Sequence, residues 1–157
     1  MNTRSLKLLG MLLGAWLACS GTAHAASGCS VSNITGVNFG GYDSLSPSPV
    51  VTAGTLTLCC DGLGPADFVT VDLGLGSSGN ASERTLTQGS NKLAYNLYMD
   101  RTLTMTWGDG FDGTAHYGPV HPSNGSCSPI PVYGYMPAHQ AVHAGSYSDT
   151  LTITLSF

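Results

Sequence analysis

Four histidines in the second half of the chain, His116, His121, His139 and His143, are the first residues to question, because imidazole serves as a base and as a metal ligand near neutral pH. His139 and His143 are four apart, a spacing that puts two imidazoles on one side of a helix, as zinc sites do. Their surroundings argue for a loop instead: Pro137 precedes them, Ala144-Gly145 follows, and no Glu comes after His139. Surface histidines on an extended connection, with no metal, are the plainer expectation. Asp109-Gly110-Phe111-Asp112-Gly113 has the residues of a calcium loop without the EF-hand spacing or a closing Glu, and reads as a glycine turn. There is no Gly-x-Ser-x-Gly elbow to expose a nucleophile. Gly74-Leu75-Gly76-Ser77-Ser78-Gly79 has the glycines of a phosphate loop but lacks the Lys and the helix after it. Asn33-Ile34-Thr35, Asn80-Ala81-Ser82 and Asn124-Gly125-Ser126 are sequons that matter only in a host that glycosylates exported proteins. Tyr95 and Trp107 could stack on a sugar, but their parity places them among core residues. No enzyme and no cofactor is expected.

The elements that would carry these residues begin after Ala25. Arg4 and Lys7 form a positive start, Leu8 to Ala18 is apolar, and Ala23-His24-Ala25 gives the small-x-small pattern of an export signal's cleavage site. The apolar run is shorter than the roughly 20 residues of a membrane span. An uncleaved anchor, or a lipid-bearing Cys19, is a weaker alternative. The organisation expected is a signal over 1–25 and one domain over 26–157. Cleavage leaves three cations (Arg84, Lys92, Arg101) against nine acidic residues, so the net charge moves from −4 to about −6. Such a chain cannot neutralise a row of phosphates, which excludes nucleic acid.

From Cys29 onward the pattern is that of strands and turns. Val31 to Phe39 is a first extended segment, and Ser44 to Pro49 a loop. Leu56, Leu58 and Cys60 share one face, and Val69, Val71, Leu73 and Leu75 alternate with polar residues. Leu93, Tyr95 and Leu97 alternate next, then Leu103, Met105 and Trp107. Phe111 to Ser128 reads as a long loop before extended chain resumes over Ile130 to Met136. The last stretch places Tyr147, Leu151, Ile153, Leu155 and Phe157 on one parity, with Ser148, Thr150, Thr152, Thr154 and Ser156 on the other. A period of two with β-branched residues is a half-buried strand. Seven or so such strands describe an all-β sandwich. Cys29, Cys59, Cys60 and Cys127 allow three disulfide connectivities in an exported chain. Cys60 points inward and Cys59 outward, so parity favours Cys29–Cys60 with Cys59–Cys127.

The ordered set of short motifs resembles the secreted spore coat U domain family, which includes subunits of archaic, Csu-type chaperone–usher pili. It runs from Cys29 through Phe39-Gly40 with Tyr42, then Gly54-Thr55-Leu56-Thr57-Leu58 leading to Cys60-Asp61-Gly62. Arg84-Thr85-Leu86, Leu93-Ala94-Tyr95-Asn96-Leu97-Tyr98 with Asp100, and Trp107-Gly108-Asp109-Gly110 follow. Val132-Tyr133-Gly134 and Ala144-Gly145-Ser146-Tyr147-Ser148-Asp149-Thr150-Leu151 complete it.

The resemblance implies an incomplete immunoglobulin-like β-sandwich, pilin-like and missing its last strand. Its partners would be a periplasmic chaperone that lends a strand, an outer-membrane usher, and neighbouring subunits whose N-terminal extension replaces the lent strand. The acceptor groove and chaperone contact would then fall on Tyr147, Leu151, Ile153, Leu155 and Phe157, including the Phe157 carboxylate. One departure stands out: cleavage after Ala25 leaves only Ala26-Ser27-Gly28 ahead of Cys29. Three residues span roughly 10 Å, against about 17–20 Å for an ordinary strand. Such a chain accepts a strand without donating one, which points to an end-of-fibre (tip) subunit at the cell surface with roles in adhesion or biofilm. The alternative is a free-standing secreted carbohydrate-binding module using the 111–128 loop.

Overall fold

Alternating apolar and small polar residues turn much of residues 28–157, the part that the computed structural model describes, into antiparallel strands. The export signal expected over 1–25, with Cys19, and the residues Ala26 and Ser27 lie outside the described residues. Eight strands form: β1 (Gly28–Thr35), β2 (Val50–Asp61), β3 (Val69–Leu73), β4 (Arg84–Gln88), β5 (Asn91–Tyr98), β6 (Tyr117–Val120), β7 (Ser126–Met136) and β8 (Ile153–Ser156). They make a five-stranded sheet in the order β1-β2-β7-β5-β4 and a three-stranded sheet in the order β6-β3-β8. The described part is all-β, with its sheets arranged as a sandwich.

The core lies between the sheets and follows the expected parities. Leu56, Leu58 and Cys60 of β2, Val69, Val71 and Leu73 of β3, Leu93, Tyr95 and Leu97 of β5, and Ile130, Val132 and Met136 of β7 are all buried. Trp107 is fully enclosed and donates from Nε1 to Val71 O at 3.0 Å. Both expected disulfides are present, each between direct register partners. Cys29–Cys60 joins β1 to β2, with Cys60 in the core; Cys59–Cys127 joins β2 to β7 on the other face. Together they tie three neighbouring strands at one end of the larger sheet.

Several expectations need correction. The first extended segment leaves its ladder at Thr35 rather than Phe39, and 36–44 crosses over as irregular chain. Leu103, Met105 and Trp107 do not form a strand. Leu103 sits at φ 59°, and the β-pairing of this stretch amounts to isolated bridges at Thr106 and Trp107. The Asp100 side chain takes the N–H groups of Thr104 and Met105, which closes a turn in place of a ladder. The 111–128 stretch is not one loop, because it contains β6 and the first residues of β7. β4, whose one apolar side chain is Leu86, shows no alternation by which its sequence could announce a strand. The last strand covers only Ile153–Ser156 of the expected 147–157. Upstream of it, Ser148 makes an isolated bridge to Thr87 of β4, and Asp149 turns toward Ser77.

Candidate functional site

The larger sheet and β8 do not close over the core along their whole length. Between the segment 34–44, which runs on from the last two residues of β1, and the segment 142–151, which precedes β8, lies an open cleft of about 1250 Å³. Interiors are normally packed so well that voids larger than a water are few. This opening is roughly eight times the ~150 Å³ cavity that takes a benzene ring. Its floor is the core itself, with Leu56, Leu93, Leu97, Trp107, Val132 and Met136 among the lining residues.

Strand order explains the opening. β8 pairs with β3 alone and β1 pairs with β2 alone, so each sheet presents an edge strand at this seam. An unpaired edge beside an apolar floor is a template for another strand. The register Leu73↔Ile153 and Val71↔Leu155 turns the β8 apolar side chains inward, while Thr152, Thr154 and Ser156 face out.

The five residues expected at such a groove divide between two places. Tyr147, Leu151 and Ile153 line the cleft. Leu155 packs against the core beyond it. Phe157 is 61% exposed. A Cβ on Gly28 would lie 3.0 Å from the Phe157 ring, so this ring covers the start of β1 and closes the seam at that end.

Each lip is built by specific local chemistry. On one side Val37 and Phe39 turn into the cleft over Gly134 of β7, where a Cβ would sit 2.5 Å from Val37 Cγ1 and 2.9 Å from Phe39 Cζ. Glycine inside a strand marks such a close approach. Phe39 also meets Tyr95 edge-on at 5.6 Å. Tyr42 anchors the same lip by donating to Pro137 O at 2.9 Å and accepting from Gln140 N at 2.8 Å. The Gln140 amide in turn pairs with Ala94 N (2.7 Å) and Ala94 O (2.9 Å), taking the place of a neighbouring strand on β5.

On the other side Asp149 accepts from Ser77 N at 2.8 Å, Thr150 N at 2.8 Å and Tyr95 Oη at 2.7 Å. Burial works against the Asp149 charge, but the bonds from Ser77 and Tyr95 outweigh it and hold the carboxyl below its ordinary value. Burial first, and the bond to Asp149 second, push the Tyr95 phenol up, so it stays a neutral donor. The glycine-serine stretch at 74–79, which lacks the lysine of a phosphate loop, therefore cradles a carboxylate of the chain itself.

Behind this lip sits Arg84, which the sequence shows as one of three scattered cations and as the first residue of the Arg84-Thr85-Leu86 motif. It is fully buried and spends its donors on Gly74 O, Leu73 O, Ala81 O and Asn96 Oδ1 at 2.8–3.2 Å. Burial pulls its pKa down, partly opposed by Tyr95, Asp149 and Asp109. Five bonds to neutral acceptors fix the ends of β3 and β5 against each other. A lone Arg in an Arg-Thr-Leu strand offers no sequence signal for this.

The remaining candidates take structural places. His139 and His143 lie in irregular chain, not on a helix, and His116 Nδ1 stands 3.5 Å from Asp72 Oδ1. Asp109 Oδ1 accepts from Phe111 N at 3.1 Å, which makes 109–113 a turn. Asn124 clamps Leu63 through two bonds of 2.8 Å.

A profile of the Spore Coat Protein U domain matches residues 15–154. Protein U of Myxococcus xanthus is 31% identical over 149 residues, covering 86% of this chain and 80% of that protein. Two solved structures share the fold. One is the CsuC–CsuE chaperone–tip adhesion subunit pre-assembly complex from archaic chaperone–usher Csu pili of Acinetobacter baumannii (TM-score 0.50, 20% identity). The match covers 82% of this chain, which spans only 39% of that chain's length. The other is a chaperone–usher pilus described for the molecular basis of rod uncoiling (TM-score 0.55, 16% identity, 94% of this chain and 98% of that one). The fold is thus that of structural pilus subunits.

Proposed function

This chain belongs to the Spore Coat Protein U domain family, and we propose that it is an exported pilus or coat subunit whose cleft accepts a β-strand from another polypeptide. The observation that carries this reading is the open cleft, floored by the hydrophobic core and flanked by the free edge of β8. Main-chain bonds to that edge would supply affinity, and alternate apolar side chains entering the cleft would supply specificity. A periplasmic chaperone lends the first strand, an outer-membrane usher presides over the exchange, and a neighbouring subunit supplies the permanent strand. Tyr147, Leu151 and Ile153 contact it directly; Leu155 and Phe157 hold the closed end of the seam. The working protein is the domain over 26–157, released from its signal into the periplasm and carried to the cell surface.

On this reading the subunit stands at the end of its fibre, in a tip role serving adhesion or biofilm. With cleavage after Ala25, three residues precede Cys29, and Gly28 already pairs with Asp61. Ala26 and Ser27 would then reach roughly 7 Å and carry no large apolar side chain. The test mixes purified chain and chaperone with a peptide copy of a shaft subunit's N-terminal segment. The peptide is expected to displace the chaperone from the wild type and to fail against Ile153→Asp. A peptide that never displaces the chaperone ends the acceptor reading, and a purified chain that polymerises by itself ends the tip reading.

A further inference from the structure

A second depression lies largely on the other face of β5 and shares only Tyr95 with the strand-accepting cleft. Leu93 and Leu97 of β5 and Val132 and Met136 of β7 face the cleft, whereas Ala94 and Tyr98 of β5 and Tyr135 of β7 face outward around a hollow of about 580 Å³. That lies within the ~300–1,000 Å³ common for ligand sites. On this face Ala94 carries only a methyl, and the half-buried phenols of Tyr98 and Tyr135 flank Asn96.

The hydrogen-bonding groups around it are both donors and acceptors. Thr85 Oγ1 is shielded from bulk solvent and has no partner among the described residues, an exception to the rule that buried polar atoms are paired. Asn96 is held rigid: its Oδ1 accepts from Arg84 Nη1 at 2.9 Å and Leu97 N at 2.8 Å, and its Nδ2 donates to Ser82 O at 2.7 Å. An amide nitrogen has two hydrogens, so one remains for a ligand. Glu83 and Lys92 on the rim add a carboxylate and an ammonium.

These groups discriminate between ligand classes. Arg84 also lines the hollow but has spent all five of its N–H donors within the chain, and the Lys92 ammonium shares the rim with the Glu83 carboxylate, so no free donor cluster awaits a phosphate. A rim of hydroxyls, amides and ions does not suit a lipid tail. A neutral sugar ring presents a C–H face that packs on a phenol and hydroxyls that need donors and acceptors together. We propose that the hollow bounded by Tyr98, Tyr135, Thr85 and Asn96 binds a neutral saccharide, and that it stays accessible when the cleft on the opposite face is filled.

The test is amide-resolved NMR titration of the oxidised chain, with the cleft empty and with a strand peptide seated, using cellobiose, diacetylchitobiose, lactose and maltose up to about 10 mM. At least one sugar is expected to shift Thr85, Asn96, Tyr98 and Tyr135 saturably in both states. Tyr135→Ala is expected to weaken that binding about tenfold or more and Thr85→Val several-fold, with Phe111→Ala unchanged. Saturable shifts from none of the four sugars, or shifts confined to the cleft or the 109–113 turn, overturn the proposal. Should Tyr135→Ala not fold, the shift map of the unsubstituted chain decides alone.

Discussion

Gly134 offers the sharpest check on how the cleft is walled. It sits two residues before the end of β7, opposite Leu97 and Thr52. A glycine there is ordinarily weaker than alanine by about 0.5–1 kcal/mol, so Gly134→Ala in an empty environment would stabilise. Here the added methyl would meet Val37 Cγ1 at 2.5 Å and Phe39 at 2.9–3.0 Å, and the lip must move. Overpacking of this kind costs about 1–3 kcal/mol. The two effects together predict a net loss of about 1–2 kcal/mol in urea denaturation of the disulfide-bonded chain. Gly36→Ala on the same lip is the control: nothing lies within 4 Å of its Cβ, so the change should be neutral or stabilising by up to about 1 kcal/mol. Adding Val37→Ala to Gly134→Ala should recover at least about 0.5 kcal/mol beyond additivity. A Gly134→Ala protein as stable as the parent, or strict additivity with Val37→Ala, would refute the reasoning.

Arg84→Met leaves the carbonyls of Leu73, Gly74 and Ala81 without their donor and should cost about 3–5 kcal/mol in the same denaturation assay; a loss under about 1 kcal/mol contradicts the hub. Replacing Cys59 and Cys127 together by Ser opens a loop of sequence separation 68, which the chain-entropy account values at about 4 kcal/mol, read as a lower urea midpoint without loss of the Cys29–Cys60 bond. Asp149 has its folded pKa held below the unfolded value, so its stabilisation is complete above about pH 4 and disappears as pH falls through the lower folded value. Asp149→Asn should therefore flatten the acid limb of a stability–pH curve in that window, and an unchanged limb would show that Ser77 and Tyr95 do not hold the carboxylate.

The cysteine pairing and most of the core were legible because both depend on parity alone. Cys59 and Cys60 are adjacent, so a strand must send them to opposite faces, and Cys127 and Cys29 follow as partners. β4 and β6 were not legible. β4 owes its place to pairing with β5 and to the buried Arg84, and β6 is a four-residue strand whose partners come from β3, far away in sequence. The end of the chain was half legible: its alternation runs from Tyr147 to Phe157, yet only Ile153–Ser156 finds a partner strand. Asp149 and Ser148 are taken by Ser77 and Thr87, contacts that no local pattern encodes.

What the amino-acid sequence determined by itself is the two-residue alternation, the parity that favours the cystine partners and the short motifs of the Spore Coat Protein U domain, all of them readable from residues adjacent along one chain. The tertiary structure decided where the two sheets fail to meet, and therefore that Tyr147, Leu151 and Ile153 line an opening while Leu155 and Phe157 do not. A gap is set by which edges lack a partner and by how far the lips at 34–44 and 142–151 reach across the core. Those are distances between segments remote in sequence, and only folding brings them to a value.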